Sequence, residues 1–200
     1  MPDENIGDSD MQPIGPLMIE HRLIERLVAL MHQELTRIKD NIAVDPEFAF
    51  VDPVFVDTAV DFLRTYADRC HHGKEEDILF AQLAKKELSP ELKKVMADLT
   101  AEHVWARETT ARLVKAKEDY LREEKEALNH ILLYLGELTE FYPKHIEKED
   151  KHFFLPGMEY FSQAEKEAML KQMWEFDRKL IHEKYGSIIE QIEKRQSCRI

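Results

Sequence analysis

Two stretches of this chain read as copies of one another, and both carry groups that ligate metals. His71-His72-Gly73-Lys74-Glu75-Glu76-Asp77-Ile78-Leu79-Phe80 aligns without gaps on His145-Ile146-Glu147-Lys148-Glu149-Asp150-Lys151-His152-Phe153-Phe154, so H-x-x-K-E-[ED]-x-x-[LF]-F occurs twice. Upstream of each copy stands a Glu-His pair, Glu20-His21 before the first and Glu102-His103 before the second. Residues four apart on an α-helix lie one turn apart on one face. His71 with Glu75, and His145 with Glu149, can therefore each address a single point in space. His21 shares a stripe with Leu17, Ile24 and Val28, and His103 shares one with Met96, Leu99 and Ala106, which turns both single histidines inward. Imidazoles and carboxylates that meet inside a helical bundle form a donor set for iron or manganese.

Left without partners, such groups would each cost about 1–3 kcal/mol of stability. A metal removes that cost. Each of the two carboxylates can bridge a pair of ions while the four histidines divide between them. With octahedral ions and one bridging oxygen, two positions stay open for dioxygen, nitric oxide, peroxide or water. The other histidines are expected to play lesser parts. His72 stands four residues before Glu76 and so competes with His71, but the second copy has Ile146 and Asp150 at those positions. His72 is therefore expected behind the ligands or facing solvent. His32 and His152 are read as structural or as lying behind the ligands, and His130 and His182 as surface or packing residues. Glu20 and Glu102 either orient nearby groups or are simply solvated, and Cys70 is a small apolar group facing a neighbouring helix. A ferritin-like di-iron site needs two Glu-x-x-His motifs, and only Glu149-Asp150-Lys151-His152 has that form.

Five helices are needed to position these residues, and apolar periodicity supplies them. The first is predicted from about Pro16 to Asp40, with Leu17, Ile24, Val28, Met31 and Leu35 inward. The second runs from about Val54 to Glu87 over Val60, Leu63, Ala67, Ile78 and Leu79. Ser89-Pro90 is a cap followed by proline at the first helical position, opening a third helix to about Glu118. A fourth, from about Leu121 to Phe154, contains Pro143, which is expected to kink or unwind it. Ser162-Gln163-Ala164-Glu165 has the form of a capping box and opens one last amphipathic helix through Met169, Met173, Phe176, Leu180 and Ile188. The expected architecture is all-α: a loose arm over 1–16, an up-down-up-down four-helix bundle over 17–160, and a C-terminal helix over 161–200 that packs on the bundle or serves association.

Composition narrows the function classes. In a chain of 200 residues, 40 acidic side chains against 28 basic ones give a net charge of −12 with no basic run, which argues against nucleic acid and anionic lipid as partners. No apolar run approaches the roughly 18 residues that cross a bilayer, and Met1–Pro16 lacks the pattern of a secretory signal. The two cysteines, Cys70 and Cys198, form no CxxC, so neither a disulfide framework nor a sulfur-ligated metal is expected, and the compartment is read as cytoplasm.

Over about Leu17 to Pro156 the order H…HxxxE…H…HxxxE resembles hemerythrin-like proteins, the HHE cation-binding domain. The resemblance implies iron ligands at His21, His71, Glu75, His103, His145 and Glu149. It also implies two iron ions per chain, bridged by the two glutamates and an oxo or hydroxo group. Oxygen-carrying members have a further histidine one turn after the third-helix ligand, where this chain has Arg107. The pattern is the four-histidine, two-glutamate version, which the family associates with iron-centre repair, nitric oxide or peroxide handling, and iron or oxygen sensing. Repair members look to have a cysteine-bearing N-terminal region, and Met1–Pro16 holds no cysteine. The leading expectation is a non-haem di-iron protein that binds, senses or reduces dioxygen, nitric oxide or peroxide; as an enzyme it would be an oxidoreductase acting on peroxide or nitric oxide. The alternatives are an iron-responsive sensor or iron-centre repair protein acting through a protein partner, and a metal-free interaction domain whose last helix, with Trp174, Phe176 and Ile188, forms a homodimer face.

Overall fold

The computed structural model describes residues 12–178 and 181–197, and among these every regular element is helical. Helix α1 spans Ile14–Val44. Helix α2 covers 53–83 as the continuous run Pro53–Phe62, Leu63–His72, Glu75–Phe80 and Ala81–Leu83. Helix α3 spans Pro90–Leu121, and α4 covers 127–158 as Ala127–Lys148, Glu149–Phe153 and Phe154–Met158. Two further helices follow, α5 at Gln163–Asp177 and α6 at Ile181–Ser197. The first four form the expected antiparallel bundle.

Local chemistry sets the helix starts. Asp52 accepts from the backbone N–H groups of Val54 (3.0 Å) and Phe55 (3.2 Å) ahead of Pro53 at the first helical position. Ser89 does the same for Leu92 at 3.2 Å ahead of Pro90, and Ser162 with Glu165 closes a reciprocal capping box.

The core is divided. One cluster gathers Ile24 to Ile38 of α1, Phe55 to Ala67 of α2, Leu113 and Ala116 of α3 and Ile131 to Ile146 of α4, joined by Tyr185, Ile189 and Ile192 of α6. The other gathers Leu17, Leu79, Leu83, Leu92, Leu99, Phe153 and Phe154 with Met169 and Met173 of α5. The level left between them falls at residue 21 of α1, 71–75 of α2, 103 of α3 and 145–149 of α4. At that level α2 and α4 depart from α-geometry. Leu63–His72, Glu75–Phe80 and Glu149–Phe153 are π-helical, and the Gly73 N–H bonds back to the carbonyl of Asp68, five residues earlier. Such widened turns concentrate at functional sites, and here they fall on both copies of the repeat.

Several expectations need correction. The first helix begins at Ile14, and Ile14 and Pro16 are buried, so the arm does not extend to residue 16. The third helix continues to Leu121 and the fourth begins at Ala127. Their connection is turned by Glu123 and Glu126 at φ 60° and 66°, left-handed conformations that no glycine announces. Pro143 is exposed and sits inside a stretch that stays α-helical through Lys148; the backbone widens only from Glu149. The single last helix is two, the first ending at Asp177. Phe176 is exposed rather than inward, while Ile188 is partly buried against the core. Leu180 and Cys198 lie outside the described residues. No described helix is long and apolar enough to cross a membrane.

Tyr185 is fully buried and its hydroxyl donates to Asp61 at 2.7 Å, which makes it the anchor of α6. Tyr185→Ala is expected to lower unfolding free energy by roughly 3–5 kcal/mol, the usual cost of deleting a buried aromatic ring, as read by denaturant titration of helicity.

Candidate metal centre

Between the two apolar clusters the structure brings together all six residues singled out by spacing. His21, Glu75, His103 and Glu149 have no exposed surface, and His71 and His145 have almost none. His21 Nε2 lies 3.1 Å from Glu149, His145 Nε2 lies 3.2 Å from Glu149, and His103 Nε2 lies 3.4 Å from Glu75. His71 Nε2 is 3.7 Å from Glu75 on its own helix and 2.9 Å from His21 Nε2. Donor atoms of His21, His71, Glu75 and Glu149 all lie within 4.8 Å of one another.

The outward nitrogens follow one rule. His71 Nδ1 meets Glu20 at 2.8 Å, His103 Nδ1 meets Glu76 at 2.7 Å, His145 Nδ1 meets Glu102 at 2.8 Å, and His21 Nδ1 meets Asp150 at 2.8 Å. A carboxylate can only accept, so each Nδ1 carries the proton and each Nε2 faces inward, the arrangement that orients metal-ligating histidines. The acids are in turn held by cations: Lys74 on Glu20, Lys148 on Glu102, Arg107 on Glu76 at 2.8 Å and Arg22 on Asp150 at 2.5 Å. Each helix thus supplies the acid that fixes the histidine of the next, α1 to α2, α2 to α3, α3 to α4 and α4 to α1.

The charges do not balance within this set. Burial and the adjacent Glu149 charge hold the Glu75 carboxyl well above its ordinary range. Burial works against Glu149 too, but His145, His103 and His21 outweigh it and hold that carboxyl well below the usual range. His145 is likewise opposed by burial, yet Glu149 and Glu102 raise it to about 9. Burial, then the charge of His21, pushes His71 down to about 4. Partial burial of Glu76 and Glu102 is outweighed by hydrogen bonds from His103 and Arg107 and from His145 and Lys148, so both stay ionised. No hydrogen bond is aligned to either oxygen of Glu75 or Glu149, to His103 Nε2 or to His145 Nε2, although all are buried. Inward lone pairs and carboxylates without hydrogen-bond donors are what divalent cations satisfy, so the residues present fit a metal.

The remaining histidines divide differently from expectation. His72 does not face solvent: it is 1% exposed and its ring stacks on that of His103 at 3.9 Å. His32, His130 and His152 are exposed and stay outside the site. His182 is no ordinary surface residue; its Nδ1 meets the Tyr66 hydroxyl at 2.7 Å and its Nε2 lies 3.2 Å from Asp177 and 3.4 Å from Glu20. Cys70 is buried but faces Asp177 at 3.4 Å, and burial raises its thiol to about 12, which leaves it no part as a ligand. Glu20 and Glu102 orient histidines rather than being merely solvated. Sequence reasoning gave no such role to Glu76, Asp150, Lys74 or Lys148. The signal was present, because Lys and the second acid recur in both copies of the repeat.

Compared with known proteins, the chain matches the family described as hemerythrin HHE cation binding domain over residues 12–156. No curated protein and no solved structure gives a match.

Glu102 is partly exposed and touches the centre only through His145. Glu102→Ala is therefore expected to leave the fold intact and to weaken metal binding roughly 10–100-fold, the usual cost of losing such a support, as read by metal titration of the full chain.

Proposed function

The chain belongs to the hemerythrin HHE cation-binding family, and from that premise we propose that it holds two iron ions and binds a small oxidant, dioxygen, nitric oxide or peroxide, at positions the protein leaves open. The observation that supports this is the pair Glu75 and Glu149, fully buried side by side, faced by four imidazole nitrogens and by no aligned hydrogen-bond donor. Two carboxylates with histidines on either side would hold the ions and form a nitrogen and oxygen set suited to iron; the nearby thiol of Cys70 is turned away toward Asp177, so a soft sulfur-ligated site is not favoured. Bound there, the ions would supply a site for small diatomic or peroxide ligands and one-electron chemistry.

The chain's own residues orient the donors and control access. Phe154 stacks on His21 at 5.6 Å and Phe80 on His103 at 5.9 Å, which closes the side toward the second core cluster against water. On the side facing the first cluster a pocket of about 360 Å³, bordered by His72, Arg107, Thr110 and Tyr142, offers room for a small molecule.

A second reading, an iron-responsive sensor, has its own support. Glu20, which fixes His71, also binds Lys74, and Lys74 reaches Asp177 at 2.6 Å at the end of α5. A change at His71 therefore reaches the C-terminal helices through three contacts in series, by way of Glu20 and Lys74. If the centre is read this way, protease cleavage within α5 and α6 differs between metal-free, ferrous and oxidised protein; identical digestion patterns would remove this reading.

Anaerobic ferrous loading is expected to give two irons per chain and a colour change on addition of nitric oxide or peroxide. His71→Ala and Glu149→Ala should each lower the iron content. Less than one iron per wild-type chain would refute the proposal.

A further inference from the structure

His72 is the one core histidine whose surroundings the reading above leaves unexplained. It is buried to the same degree as the four histidines around the carboxylates, yet both its ring nitrogens lack a hydrogen-bond partner. Its ring lies parallel to His103, with centroids 3.9 Å apart and planes 11° apart, and edge-on to His145 at 5.7 Å. One donor atom from each of His72, His103 and His145 can be chosen so that all lie within 4.8 Å of one another. This trio stands apart from His21 and His71, whose donors group with the two carboxylates. Behind His72 stands an acid, as behind each of the others: Asp68 lies 3.5 Å from its Nδ1, and Arg107 holds Asp68 at 2.6 Å.

We propose that His72 is a fifth histidine ligand, so that one iron takes His72, His103 and His145 while the other takes only His21 and His71, with Glu75 and Glu149 shared. A buried core histidine with a packing role would have its nitrogens paired within the protein. On its inner side His72 meets the donor atoms of two other imidazoles. The consequence is an asymmetric centre. The internal repeat by itself makes the two ions equivalent, each with two histidines. His72 has no counterpart in the second copy, where Ile146 stands, and breaks that equivalence. The ion on the His21 side then keeps an open position, while the other is filled from the protein.

This inference rests on the di-iron reading, and the test separates their failures. The full chain is loaded anaerobically with ferrous iron, and iron stoichiometry, affinity and the Mössbauer spectrum are compared for wild type, His72→Phe and His72→Ala. His72→Phe keeps a flat ring against His103 but removes both nitrogens. Wild type is expected to bind two irons in two inequivalent environments. His72→Phe should retain the helicity and the metal-free melting temperature of wild type, lose tenfold or more in affinity for one iron, and bring the two environments together. The pocket bordered by His72 gives free imidazole a route to the space left in His72→Ala, so added imidazole should restore the lost affinity there. Should His72→Phe fail to fold, the imidazole rescue decides alone. Wild type binding two irons while His72→Phe binds both with unchanged affinity and spectrum, or His72→Ala showing no response to imidazole, overturns the role of His72. Less than one iron in wild type overturns the di-iron reading and this inference with it.

Discussion

Two carboxylates, Glu75 and Glu149, share the middle of the bundle with no exposed surface and no aligned hydrogen-bond donor between them, and much of the surrounding architecture is arranged around that juxtaposition. Like charges brought together in a medium of low polarity repel strongly, and an isolated buried carboxylate is among the most costly groups a core can hold. Groups that can satisfy the pair must therefore converge on it, and an imidazole does so from each of the four helices. The helices extend well beyond this level in both directions because a polar layer contributes no apolar burial. An apolar cluster above and another below supply the stability that the layer lacks.

Positioning is achieved by a closed ring of support. Glu20, Glu76, Glu102 and Asp150 each fix the outward nitrogen of a histidine on the next helix around the bundle, and each is itself held by a lysine or arginine. An imidazole so fixed has one tautomer and one direction, which is the property a metal ligand requires. No helix can shift along its axis without disturbing the acid it lends and the histidine it receives. The ring thus couples helix register to the geometry of the centre, and the widened turns at Leu63–His72 and Glu149–Phe153 lie where that register has to be met.

How much of this was legible in the sequence depended on whether the signal was periodic. The four bundle helices and their inward faces followed from apolar spacing, which also turned His21 and His103 inward, and the other four inner residues followed from the doubled H-x-x-x-E, since a period of four means one face whatever the rest of the fold does. The supporting acids were written in the same repeat, as the acid after Glu75 and Glu149 and the glutamate before His21 and His103. A charged residue on a helix is nonetheless usually solvated, and only the neighbouring helix shows that these are not. The π-helical turns leave no mark in composition. Neither does the turn through Glu123 and Glu126, because residues other than glycine adopt the left-handed conformation there. His72 has no equivalent in the second copy, where Ile146 stands, so the repeat carries no signal for its burial against His103.

Departures from the repeat give the molecule its direction. Lys74 and Lys148 occupy matching positions and bind matching glutamates, but Lys74 is fully buried beneath the end of α5, while Lys148 is about one third exposed. Asp177 and His182 gather on Glu20 and Lys74; among the described residues Glu102 meets no such partners from the C-terminal helices. The half of the centre built by α1 and α2 is therefore locked by chain that lies beyond the repeat, and the half built by α3 and α4 is held by surface contacts that water can compete for. Two copies of one motif, folded into one layer, come to sit in unequal surroundings.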